Sequence, residues 1–198
     1  MRSRAPLTAE EHQRIDAAVA AVERRSSAAF ALAVVPMSDR YALFPLVWGA
    51  VIALVATGLL AFLHPELGIA AGFFVDAALF VGLSVVLHWR PLRLLLVPKR
   101  VKHMHARQLA HREFAARILA SAHRRNGVLF FVSLGERYVE VIADRDIHAR
   151  VAEGTWDKIV ADFIAAVRAG RLAAGFIAAI EACGSVLETH YPGAKPAP

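Results

Sequence analysis

Charge is almost missing from one continuous block of this chain. Residues Tyr41 to Trp89 hold no Lys or Arg, and Glu66 and Asp76 are their only acids, whereas both flanks are richly charged. A water-soluble domain of 198 residues does not need such a block, and a mean hydropathy of +0.46 places the apolar excess there. Cysteine is nearly absent too: the single Cys183 excludes an intramolecular disulfide, and its Ala-rich helical setting, with no base nearby in sequence, reads as a small buried side chain. There is no Gly-rich phosphate loop, nucleophile elbow, paired-Cys zinc site or catalytic-triad spacing, so the residue pattern alone reaches no reaction. No apolar run follows the charged start Met1 to Glu11, so no signal peptide is expected and the N-terminal segment should stay on the side where it is made. The net charge of +6 could suggest nucleic acid, but no stretch interleaves basic and aromatic residues as a reader does, and no nucleic-acid partner is expected.

The block itself divides in two. Tyr41 to Leu63 and Leu67 to Trp89 are each about 23 residues of apolar and small side chains, long enough as helices to cross ~30 Å of hydrocarbon. His64-Pro65-Glu66 makes the turn between them. Helices of a soluble core are seldom apolar on every face over such lengths, so a transmembrane hairpin is predicted. Arg24, Arg25 and Arg40 precede it and Arg90, Arg93, Lys99, Arg100 and Lys102 follow it, while the turn carries no basic residue; the positive-inside rule then puts both termini in the cytoplasm. Tyr41, Phe44, Trp48 and Trp89 fit an interfacial belt. Asp76 is costly in mid-membrane and needs a polar partner. Gly68, Gly72 and Asp76 recur at i, i+4, i+8, Gly49, Ala53 and Thr57 offer a matching small stripe, and Thr57 is the expected hydrogen-bond partner of Asp76. Three roles stay open for this face: a contact within the hairpin, an interface to another subunit, or a proton or ion pathway, the last hard to build from two helices.

The flanks alternate helix and strand signals. Thr8 and Glu11 form a capping box opening a helix through Ile15, Val19 and Val22, which ends near Arg24 to Ser27. Phe30 to Val35 is a short apolar run that reads as a central strand buried on both faces, ended by Pro36. Lys99 to Arg124 reads as one long helix; its His103, His105 and His111 do not make a metal site, because His103 and His105 point apart and no carboxylate or Cys completes the set. Val128 to Leu134 and Arg137 to Ala143 read as a hairpin of strands turning at Gly135-Glu136. Two amphipathic helices follow, one capped by Thr155, one from Leu172 to His190, separated by Gly170. Gly193 to Pro198 reads as a loose tail.

The run from Asn126-Gly127-Val128-Leu129 through Glu136-Arg137-Tyr138-Val139-Glu140-Val141 resembles the TPM-domain family, in which Asn-Gly or Thr-Gly opens an apolar strand, an acidic-Arg turn follows and a second strand pairs back. The opening helix and strand resemble the family as well, as does Arg168-Ala169-Gly170-Arg171-Leu172-Ala173-Ala174-Gly175-Phe176 before the last helix. The likeness is greatest to a bacterial branch with a transmembrane pair inserted after the first strand. It implies an α/β fold with a small mixed sheet sandwiched by helices, interrupted here by the two-helix hairpin: residues 1–40 the first helix and strand, 41–89 the hairpin, 90–192 the remainder of the domain, 193–198 the tail. It further implies the inner (cytoplasmic) membrane of a bacterium, and an acidic pocket at a strand-end edge, which places Asp39, Asp144 and Asp146 as candidate ligands for Ca2+ or Mg2+. Plant thylakoid members have been called divalent-metal acid phosphatases; others assist photosystem maintenance or accompany a membrane receptor. The chain departs from the pattern at Ala143-Asp144-Arg145-Asp146-Ile147, where members carry a Gly-rich stretch, and at Gly135, where an acidic turn residue is common.

Three functions are therefore weighed. The first is a noncatalytic accessory or interaction subunit anchored in lipid, whose Gly68, Gly72, Asp76 and Thr57 face docks a membrane protein partner or a second copy. The second is a divalent-metal-dependent phosphatase on the three aspartates. The third is an anionic-lipid-binding surface protein using Lys99, Arg100, Lys102 and Arg107.

Overall fold

The computed structural model describes residues 7–38, 43–64, 68–87, 89, 97–119 and 126–193. The chain forms two compact units: one of Met1–Pro36 with Ala106–Pro198, the other of Met37–His105. Sequence on either side of the apolar block thus closes into one α/β unit.

That unit begins with helix α1 (Ala9–Arg25), held by the expected capping box: Thr8 Oγ1 accepts from the Glu11 N–H and the Glu11 carboxylate accepts from the Thr8 N–H. Strands β1 (Ala29–Val35), β2 (Gly127–Ser133) and β3 (Tyr138–Ala143) form a mixed sheet in the order β1-β2-β3, with β1 parallel and β3 antiparallel to β2. Among the described residues β1 is therefore an edge strand, which corrects the expectation of a central one; the centre is β2, all seven of whose residues are buried. An apolar run of six cannot by itself tell these apart, because a helix can cover an edge strand's faces as fully as a central strand's.

Period-2 alternation along β2 sorts its side chains to two cores. Val128, Phe130 and Val132, with Phe30 of β1, pack among Ile15 and Val22 of α1 and the two C-terminal helices, α6 (Thr155–Arg168) and α7 (Leu172–His190). Leu129 and Phe131, with Ala29 and Ala33, face Ala106, Ala110 and Phe114 of α4 (Lys99–Phe114) and Ile118 of the π-helical turn Ala115–Leu119. Helices thus cover both faces of the sheet. The single helix expected through Arg124 changes its winding at Ala115, and residues 120–125 lie outside the described ones.

Three local readings need correction. The strand hairpin turns over four residues, Leu134 to Arg137, since Ser133 pairs with Tyr138; the Leu134 and Gly135 N–H groups still bond to the carbonyls of Val35 and Pro36, which keeps them from turning. Gly154, in the left-handed region at φ 80°, caps α6, and Thr155 is its first residue, its hydroxyl donating to the Ala152 carbonyl. At the end of the chain, Gly193 is fixed by its N–H on the Arg25 carbonyl and Pro192 bridges Ser26; residues 194–198 lie outside the described ones. α7 keeps its expected bounds. Its buried Gly175, Phe176, Ala179, Ile180, Cys183, Gly184 and Leu187 form one stripe, and burial pushes the Cys183 thiol up to about 12, as an inert core side chain requires.

The second unit holds α2 (Leu43–Leu63) and α3 (Ile69–Leu87). Thr57 meets Asp76 and Gly49 meets Ser84, so the two run antiparallel. Among the described residues three helices, α2, α3 and α7, are long and apolar enough to cross a membrane. α7 spends its apolar stripe on the core, whereas α2 buries only Pro45, Gly49 and Ala53 and α3 buries nothing, leaving Leu54, Phe62, Ile69, Phe73 and Phe74 exposed. Such continuous apolar surface supports membrane association.

Candidate functional site

Four groups of polar side chains bear on function. The first lies in the α2–α3 hairpin, where Thr57 Oγ1 donates to Asp76 Oδ1 at 3.1 Å. This bond satisfies part of a carboxyl that lipid alone could not. Gly68 and Gly72 lie apart from the helix contact, contrary to the pairing of two small stripes expected above: a Cβ added at either meets nothing within 4 Å, while one at Gly49 would lie 3.2 Å from Ser84 Oγ. The contacts of α3 with α2 named here fall at Asp76 and Ser84.

The second group is the proposed acidic edge. Asp39 lies outside the described residues. Asp144 follows β3, whose end pairs with Val128 at the start of β2, so it sits at the opposite end of the sheet from the end of β1. Its side chain caps a short helix that the sequence reading missed, α5 (Arg145–Arg150), accepting from the Arg145 N–H; Asp146 falls in the first turn of the same helix, a favourable place for a negative charge. Among the described residues, which do not include Asp39, no three His, Cys, Asp or Glu side chains converge on a point where a metal ion could sit. A cap and a ligand respond differently to substitution. Asp144→Ala is expected to cost about 1 kcal/mol of stability and Asp144→Asn almost nothing, since Asn caps as well as Asp; thermal melts of the two variants with and without calcium check this, and a melting point that rises with calcium in the parent and not in Asp144→Asn would make Asp144 a ligand instead.

Third, Tyr138 and Glu140 project from the same face of β3. The Tyr138 hydroxyl donates to Glu140 Oε2 at 3.0 Å, and Arg107 Nε lies 3.9 Å from Glu140 Oε1. Burial, with help from the Glu140 charge and hydrogen bond, raises the Tyr138 pKa well above the ordinary phenol, so it stays a donor across the physiological range. Arg107, expected at lipid headgroups, is placed beside Glu140. Lys99 and Arg100 are exposed at the start of α4 and Lys102 is half-buried.

Fourth, at the β2–β3 turn Ser133 (0 % exposed) donates its hydroxyl to Glu136, which is 5 % exposed. In sequence Glu136 read only as the second residue of a two-residue turn. The available signal was the Ser three residues before it, a hydroxyl that a tight turn brings back onto the carboxylate.

A three-stranded mixed sheet with helices on both faces, closed by sequence from both sides of an apolar hairpin, defines a small α/β domain with an insertion. Residues 91–186 match the family model described as TPM domain. α1 and β1, which precede the matched residues, complete the same unit. The fold is similar to that of BA42 protein from the psychrophilic bacterium Bizionia argentinensis, determined by NMR, with a TM-score of 0.57 and 15% identity over 98% of this chain and 90% of that one. No curated protein matches the chain in sequence.

Proposed function

We propose that the protein is a membrane-anchored TPM-domain subunit that acts without catalysis: α2 and α3 insert as a hairpin in the inner membrane of a bacterium, both termini face the cytoplasm, and the hairpin docks a membrane protein partner or a second copy. The supporting observation is the free apolar surface of α3, which buries no residue within its own unit. A pair of helices in lipid gains little from apolarity itself, and association rests on close packing and polar contacts. The Gly68 and Gly72 end of α3 offers the first and Asp76, with one oxygen held by Thr57, the second. The basic start of α4, Lys99, Arg100 and Lys102, would sit next to the anionic headgroups, each contributing ~1 kcal/mol.

Gly72 separates this reading from a purely local one. Open space surrounds it, so Gly72→Leu should leave the hairpin intact. The variant is expected to insert normally and lose its complex on native gels, with Asp76→Leu behaving alike. Complexes of unchanged size for both variants would end the docking proposal.

A further inference from the structure

Between the β2–β3 turn and the α6–α7 corner lies a cavity of about 230 Å³. Its walls are apolar, with Val132 and Val139 from the sheet and Phe163 and Leu172 from the two helices, and its charged lining is of one sign, Arg137 and Arg168. Among the described residues neither guanidinium is paired with a carboxylate and no Asp or Glu lines the space: Glu136, the neighbour of Arg137, is buried and takes the Ser133 hydroxyl instead. Arg137 is also the one residue other than glycine, among those described, with a left-handed backbone, φ 53°. At that turn position a glycine would sit without strain. The first turn of α7 opens beside the cavity with no side-chain cap, adding partial positive charge near Leu172.

An apolar pocket with a few convergent polar groups is the usual form of a small-molecule site, and guanidinium groups match the planar fork of a carboxylate. We propose that this cavity binds a small organic carboxylate carrying a short branched or cyclic apolar group, the apolar part against Val132, Val139, Phe163 and Leu172 and the carboxylate on Arg137 and Arg168. Both halves are needed. Two exposed arginines alone would hold any anion weakly, and an apolar hollow of this size alone would not select charge. The site is independent of the membrane anchor and of the docking proposed for it.

The test uses the full chain in zwitterionic bicelles, observed by amide NMR, with three probes: 4-methylpentanoate, 4-methyl-1-pentanol with the same tail and no charge, and inorganic phosphate with charge and no tail. The carboxylate is expected to give saturable shifts at the amides of Ser133, Leu134, Arg168 and Leu172. Arg168→Gln and Arg137→Gln should each weaken it tenfold or more, and Arg112→Gln, on the opposite side of the sheet, should leave it unchanged. The spectra report directly that each variant is folded. Absence of saturable shifts, equal affinity for the alcohol or for phosphate, or full binding by both arginine variants would each overturn the proposal.

Discussion

Phe130→Ala is expected to cost the α/β unit about 3–5 kcal/mol. Phe130 is fully buried at the centre of β2 and stacks edge-on against Phe163 at 5.2 Å and Phe176 at 6.4 Å, which themselves meet at 4.9 Å. The ring is thus the junction of strand, α6 and α7, and its removal deletes one side of two aromatic pairs and leaves a cavity bounded on several sides. A domain of this size is stable by only ~5–15 kcal/mol, so the loss consumes much of the margin. The urea midpoint of the detergent-solubilised protein measures it, with Phe130→Leu as the milder control. A loss below about 1 kcal/mol for the alanine variant would mean that the sheet and the two C-terminal helices do not share this core.

Gly127→Ala should follow it in size, at about 1–3 kcal/mol, from one added methyl group. A Cβ at Gly127 would come within 2.6 Å of Ile118 Cγ2, 3.0 Å of the Ala29 carbonyl oxygen and 3.1 Å of the Ala29 Cβ. The π-helical turn presses on the sheet here. One of the three atoms is backbone in the pairing strand and cannot move without disturbing the β1–β2 ladder. Gly184 makes a useful comparison: its added Cβ would lie 2.5 Å from Val22 Cγ2, but the site is inside α7, where alanine recovers about 1 kcal/mol of helix propensity. Gly127→Ala should therefore be the more damaging of the two in the same urea titration, and the reverse order would place the tightest packing at the α1–α7 contact.

The parts of this fold that were legible in sequence are those decided by neighbouring residues. The Thr8–Glu11 capping box, the length of the two apolar helices and the bounds of α7 depend on spacing within a few turns, and the Thr57–Asp76 bond followed from needing a polar partner in an apolar block. What depended on pairing order was not legible. β1 could not declare itself an edge strand, because its apolar run reports burial and not neighbours. Asp144 could be placed at a strand end from sequence, but only the antiparallel course of β3 puts it at the other end of the sheet from the end of β1, where it caps α5. The same holds for Glu136, whose burial follows from a four-residue turn, and for the cavity of Arg137 and Arg168, whose lining residues are brought together by the packing of α6 and α7 on the sheet.

The anchoring of one domain by an insertion in its own sequence is tested most directly by washing membranes that carry the full chain with alkaline carbonate and following the protein on sedimentation. Helices α2 and α3 seated in the hydrocarbon layer keep the chain in the pellet until detergent is added. Quantitative release into the wash, as a single species of monomer size, would show that these helices find their cover in protein and not in lipid.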